Sequence, residues 1–268
     1  MMGIYLALFR MRFINALQYR AAATAGVSTQ FAWGFMEILA FSAFFRSNPA
    51  AFPMEFSHTV TYIWLQQAFL ALFMSWFWEN DIADSILSGA ISYELTRPMD
   101  LYNRWYCQTV AGRLSRATLR CLPILVVGFI VPGPYGLSLP AGAGAFALFA
   151  LSAALALGVV AAFSMLMYIS LFYTISSLGV RSVLGVLSDF LSGHIIPLPF
   201  FPQRIRVVAE FLPFASMQNM PLRIYSGNIS GADAFWGIGL QLFWLVTLAA
   251  AGRAAMRRAV KRVVVQGG

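Results

Sequence analysis

The sequence is poor in the residues that most enzyme active sites use. It has one lysine, Lys261, followed by Arg262, so it lacks the Gly-x-x-x-x-Gly-Lys-Ser/Thr loop that binds nucleotide phosphates. Its two histidines, His58 and His194, have no spaced acidic partners for a metal ion, and no Gly-x-Ser-x-Gly elbow occurs. We therefore predict a protein that is not an enzyme, with no catalytic residues, no metal site and no cofactor in this chain.

Cysteine and charge are also scarce. Cys107 and Cys121 have no nearby histidine or paired cysteine, which predicts buried thiols rather than a disulfide framework. Only 10% of the residues are charged and 60% are apolar, against roughly a quarter charged in soluble domains. The net charge is +8, but the basic residues flank apolar runs, so attraction to anionic lipid headgroups explains them without nucleic acid.

What the sequence has instead is a series of long apolar runs. An α-helix needs about 20 apolar residues to cross a bilayer core of about 30 Å. Six such blocks predict a polytopic all-α membrane protein. They are Val27–Phe45, Val60–Trp78, Ala117–Val131 with an extension toward Tyr106, Ala143–Leu178, Val183–Phe201 and Ala234–Gly252. The fourth block fits either a long tilted helix or a span followed by an interfacial turn.

The basic residues predict the orientation. With the N-terminus inside, fourteen of the 18 lysines and arginines lie on the cytoplasmic side, and only Arg46, Arg204, Arg206 and Arg223 lie outside. Both termini are then cytoplasmic. Residues 1–22, with Leu6, Phe9, Phe13 and Leu17 at helical spacing, predict an interfacial helix. The alternative is a plain cytoplasmic extension of the first span.

The polar segment, which we define as residues 79–105, holds half of the ten acidic residues. Asn80 or Asp81 can cap a short helix, and Gly89 is a natural helix end. Within the segment, regular structure is predicted to stop at Arg97-Pro98, since proline ends regular pairing. Two interpretations remain open: a docking surface for another protein, and a surface turn that merely joins two spans.

Glu37, Asp189 and His194 lie within predicted spans, where burying a charge is costly. Glu37 either lines a substrate path or forms a structural hydrogen bond to a neighbouring helix. Asp189 and His194 could form a proton relay, but five residues apart on a helix they face about 140° away from each other. A proton-coupled secondary transporter that uses Glu37 or Asp189 is therefore an alternative function, although no internal repeat is visible.

Residues 201–231 are amphipathic and rich in proline. We predict short helices there, on the outer face and partly dipping into the membrane, which would cap the outer mouth of the bundle. The candidate cap residues are Pro197, Pro202, Pro213, Phe214 and Pro221.

In their order, these features resemble an ABC-2-type permease, the membrane subunit of a bacterial ABC exporter. The most specific part is Asp84-x-Ile86-x-x-Gly89-x-Ile91-x-x-x-Leu95-x-Arg97-Pro98, and the second is Ser192-Gly193 with the prolines that follow. Each pattern is degenerate alone, but the order with six spans covers nearly the whole chain, residues 1–268, as a single permease domain.

The resemblance implies a multi-pass protein of the bacterial inner membrane that moves substrate outward. Two six-span permease subunits, identical or related, would pair, and each would bind a separate cytoplasmic ABC ATPase that carries ATP and magnesium. The polar segment would be the coupling segment between spans two and three. Its contacts with the ATPase would come from Asp81, Asp84, Ile86, Gly89, Arg97 and Pro98. The predicted substrate path is lined by Glu37, Asp189 and His194.

Overall fold

A computed structural model describes residues 2–18, 20–174 and 176–263, and these residues form α-helices and no strand. The prediction of an all-α protein is confirmed. The helices are α1 Met2–Ala16, α2 Arg20–Ser47, α3 Phe56–Ala68, α4 Leu70–Phe73, α5 Asn80–Leu87, α6 Ile91–Leu95, α7 Leu101–Ile130, α8 Ala143–Ser170, α9 Ser177–Leu191, α10 Gln203–Phe211, α11 Asn219–Ser226 and α12 Gly231–Val260.

Four long helices make up the body of the molecule. α8 packs along α12, and α7 packs against α1, α2, α3 and α8. Within the described residues, α8 and α12 are long and apolar enough to cross a membrane by length and composition alone. α2 and α7 are as long, with 28 and 30 residues, but they carry Glu37 and several arginines. These helices are consistent with a helical membrane protein, and the six-span arrangement stays a prediction.

The second apolar block, Val60–Trp78, is not one helix. α3 ends at Ala68, α4 is a single turn, and residues 74–79, the unwound stretch, have no helical structure. From the end of α4 onward, the guanidinium of Arg113 on α7 satisfies carbonyl oxygens that have no helical donor. It donates to the carbonyl oxygens of Leu72, Met74 and Phe77. The prediction of one continuous span from Val60 to Trp78 was therefore wrong.

The helix of the fifth block, Val183–Phe201, also ends before the predicted boundary, since α9 covers only Ser177–Leu191. Gly193 follows with φ at +80°, a left-handed conformation that glycine adopts readily. The Tyr62 hydroxyl donates to the Gly193 carbonyl oxygen at 3.0 Å, so the freed backbone group keeps a partner. The fourth block is resolved as the long helix α8 followed by a turn after Ser170.

The N-terminal segment is a helix from Met2 to Ala16, and α2 already begins at Arg20, so residues 1–22 are not one helix. α1 packs against α7. The predicted apolar stripe does not act as one face, since Leu6 is 69% exposed whereas Phe9, Phe13 and Leu17 are partly buried.

Short helices occur in residues 201–231, as predicted, and their role as a cap of the outer mouth stays a prediction. Most residues of α11 are buried, and it packs against α3 and α8. Pro221 lies within α11, and Phe214 packs edge-on against Phe163 of α8 with ring centroids 5.4 Å apart. Pro197 and Pro202 each precede a short helix, and Pro213 follows α10.

Candidate docking segment and side cavity

The polar segment contains two short helices, α5 and α6, joined at Gly89. Gly89 has φ at +76°, which ends α5 in the left-handed conformation that glycine favours. The residue before α5 is Glu79, and its side chain makes no capping bond. The prediction that Asn80 or Asp81 caps this helix was wrong, because both already lie in its first turn.

Two acids of the polar segment hold it against α7 and α8. The Arg116 guanidinium donates to Glu79 Oε1 at 2.7 Å, and the Glu79 backbone N–H donates to the Tyr168 hydroxyl oxygen at 2.8 Å. At the other end, Glu94 accepts from Trp105 Nε1 at 2.7 Å and from Arg104 at 3.3 Å. Both carboxylates are largely buried, with exposed fractions of 13% and 18%. These acids are therefore structural, and they fix the segment at both ends.

An apolar face of the segment packs inward on the same helices. Ile82, Ala83 and Ile91 are buried in a core cluster with Trp105 and Met165. The burial of this face explains how two helices of eight and five residues are held, since isolated helices of that length are marginal in water.

The opposite face is exposed. Of the residues predicted to contact an ATPase, Asp84, Gly89, Arg97 and Pro98 are exposed, and Ile86 is partly buried. Asp81 is exposed but already paired, because Arg12 of α1 donates to it at 2.8 Å.

Sequence reasoning missed two residues of this exposed face. Leu87 is 44% exposed and Tyr93 is 77% exposed. Helical spacing could have identified them, because Leu87 lies about 140° around α5 from the buried Ile82, and Tyr93 lies about 200° around α6 from the buried Ile91.

A side cavity of about 850 Å³ opens between α2, α3 and the end of α9. It brings together Glu37, Asp189 and His194, the three residues predicted for the substrate path. Its walls include Trp33, Met36, Trp76 and the glutamines of α3, and Arg120 of α7 also lines it, next to Gly26.

A chain of amide hydrogen bonds joins this cavity to the loop before α11. Gln66 Nε2 donates to both Glu37 oxygens, at 3.2 and 3.0 Å, and Gln67 lies at 3.5 Å from Glu37 Oε2. Gln218 Nε2 in turn donates to Gln66 Oε1 at 3.2 Å. The three glutamines are buried. Sequence reasoning missed them, although a Gln-Gln pair inside an apolar block was a visible exception.

Asp189 and His194 line one cavity without bonding through their side chains in the described structure. The His194 backbone N–H donates to the Asp189 carbonyl oxygen at 3.2 Å, while Asp189 Oδ1 and His194 Nδ1 have no partner. The arrangement gives no direct relay between the two groups. No cluster of three or more possible metal ligands is found among the described residues either.

The structure thus combines long packed helices, a cavity beside α2 and α3, and a polar segment that contacts with α7 and α8 hold in place. The family model of the ABC-2 family transporter proteins matches residues 31–267, and the chain belongs to this family. It is therefore a non-catalytic membrane component of an ABC transporter, a class that works with an ABC ATPase. No curated protein matches the chain. The family resemblance of the sequence is confirmed, and the secondary transporter is set aside.

Proposed function

We propose that this chain is the six-span permease subunit of an ATP-driven exporter in the bacterial inner membrane, with both termini in the cytoplasm. The observation that carries the proposal is the polar segment, which is fixed to its own chain on one face and exposed on the other. Glu79 and Glu94 hold it to α7, while Asp84, Tyr93 and Arg97 remain available to a partner.

The partner is a cytoplasmic ABC ATPase that carries ATP and magnesium. When ATP binding closes two ATPase subunits, they displace the polar segments of two permeases. A segment fixed by buried ion pairs transmits this displacement to α7 rather than bending away from it, since removing one partner of a buried pair is costly.

The substrate path is the side cavity, completed by a second permease subunit. The cavity is open on one side, and exposed apolar side chains in its wall include Trp33 and Met36 of α2 and Ile195 after α9. A second six-span subunit, identical or related, would cover these residues and supply the opposite wall. Substrate would then move outward between the two subunits, past Glu37, Asp189 and His194.

The N-terminal helix α1 would lie along the cytoplasmic membrane surface. Its side away from α7 exposes Ile4, Leu6, Met11 and Ile14 together with Arg10. An apolar side with a basic residue suits the boundary between acyl chains and anionic headgroups.

The test is to purify the chain from its native membrane in mild detergent and identify the proteins that accompany it. A P-loop ATPase in a one-to-one ratio with the chain is expected. An Arg97→Glu variant should lose the ATPase, and Arg257→Glu, a charge reversal at an exposed position of α12, should keep it. Retention of the ATPase by Arg97→Glu would count against docking at this segment, and active transport without any ATPase would refute the proposal.

A further inference from the structure

Arg113 is the most completely buried charged side chain of the described residues, with 0% exposure. Its Nη1 donates to the carbonyl oxygens of Met74 at 2.6 Å and Leu72 at 3.4 Å. Its Nη2 donates to the Phe77 carbonyl oxygen at 3.2 Å and to Ser164 Oγ at 3.1 Å. One guanidinium thus connects three parts of the chain: the end of α4 with the unwound stretch, α7, and α8.

The acceptors explain why the chain keeps a charge there. The carbonyls at a helix C-terminus have no intrahelical donors, and a cation is favoured next to them. Arg113 supplies donors to one carbonyl of α4 and two of the unwound stretch. Among the described residues it forms no salt bridge with a carboxylate, so these backbone groups are what holds it.

The position of the unwound stretch gives this contact a mechanical consequence. Residues 74–79 connect α4 directly to the polar segment. Six residues can extend to about 20 Å, so a loose stretch would absorb a displacement of the polar segment. Phe77 is held further by the guanidinium groups of Arg116 and Arg120, whose Cζ atoms lie 5.8 and 5.7 Å from the ring centroid.

We infer that Arg113 is a positioning residue that makes the polar segment move as one body with α7 and α8. Because Arg113 fixes the unwound stretch, a displacement of the polar segment also displaces α7 and α8. This inference rests on the proposed function, in which an ATPase pushes on that segment.

The test uses the full permease–ATPase complex with Cys107 and Cys121 replaced by alanine. Spin labels at Ser88, in the polar segment, and Thr118, on α7, report the distance between the two elements, and both positions are exposed. With Arg113 present, the distance distribution should be narrow and unchanged when ATP is trapped. Arg113→Met should broaden it even without nucleotide.

A second readout measures transmission to the cavity. Met36→Cys, on the cavity wall, is alkylated with a membrane-impermeant maleimide with and without trapped ATP. The ATP-dependent change in alkylation rate should fall by about tenfold in Arg113→Met, within the range of couplings between distant sites, while ATP hydrolysis continues. Arg113→Lys keeps the charge but loses the planar fork, so it should recover part of the change. Arg257→Met, a charge loss at an exposed position, should behave like the parent complex.

The outcomes separate the two proposals. A narrow Ser88–Thr118 distribution in Arg113→Met would overturn the role of Arg113. If the methionine variant does not assemble, Arg113→Gln takes its place, and a narrow distribution with normal ATP-dependent alkylation in that variant would overturn the role equally. If the parent complex contains no ATPase, docking at the polar segment fails. The nucleotide-free distributions still decide whether Arg113 anchors the segment.

Discussion

The hydroxyl oxygen of Tyr168 accepts a hydrogen bond from the residue before α5, and removing this acceptor should loosen the polar segment. Tyr168 is fully buried on α8, and its oxygen accepts the Glu79 backbone N–H at 2.8 Å. Tyr168→Phe deletes that acceptor with almost no change in shape. A buried donor left without a partner costs about 1–3 kcal/mol, and a middle value of about 2 kcal/mol corresponds to a roughly 30-fold change in a local opening equilibrium.

Hydrogen–deuterium exchange measured by mass spectrometry, on peptides that cover α5, tests this magnitude. Exchange of the α5 amides should accelerate by roughly 30-fold in Tyr168→Phe, if opening is fast and reversible. Tyr93→Phe is the matched control, because Tyr93 lies in the same segment but is 77% exposed. If α5 exchange in Tyr168→Phe stays within about threefold of the parent protein, well below the cost of an unpaired buried donor, the Glu79 contact does not hold the segment.

Three further changes probe the same segment. Gly89→Val places a β-branched residue at φ +76°, which costs about 1–2 kcal/mol. The variant should still insert into the membrane, but its ATP hydrolysis should no longer change the accessibility of the cavity. Normal coupling would contradict this prediction. Arg97→Glu should weaken ATPase binding by about 2 kcal/mol, or roughly 30-fold, because docking buries residue 97 against the partner, where a reversed charge is costly and salt screens it little. Titration of the ATPase onto purified permease measures this loss, with Arg257→Glu as the unchanged control. Asp81→Asn and Arg12→Gln each remove one partner of an exposed ion pair, so each should cost less than about 1 kcal/mol of stability. The double variant should be no less stable than either single variant. Additive losses would show that the two residues act separately.

The sequence predicted the local features of the fold better than its long-range ones. The helix end at Gly89, the long helix α7 and the short helices after α9 depend on neighbouring residues, and periodicity or a glycine reveals them. The carbonyls freed beyond α4 and α9 are instead satisfied by Arg113 and Tyr62, which are far away in the chain. A backbone acceptor has no residue type, so no sequence pattern announces these contacts.

The candidate sites followed the same division. The pattern identified the polar segment, but it could not tell which of its acids are structural. Glu79 and Glu94 are committed to arginines of α7, and Asp81 to Arg12, because tertiary packing brings distant basic residues to them. Glu37 was identified as an exception in a span. Its partner Gln66 is visible only once α2 and α3 lie side by side.

The charges of the polar segment that form no ion pair also predict how the ATPase binds to it. Among the acids of the polar segment, Asp84 has no bonded partner in the described structure, and the exposed face carries Arg97 and the apolar side chains of Leu87 and Tyr93 beside it. Asp100 is exposed as well and caps α7 without an ion pair, so two acids and one base leave the exposed part of the segment with a net charge of only −1. A docking surface of that kind should bind chiefly by burying Leu87 and Tyr93 in an apolar groove, so its affinity should change little with salt, because ionic screening acts on exposed charge. If ATPase binding instead falls steeply as salt rises, with Tyr93→Ala close to neutral, the partner is held by the arginines around the segment and not by this face.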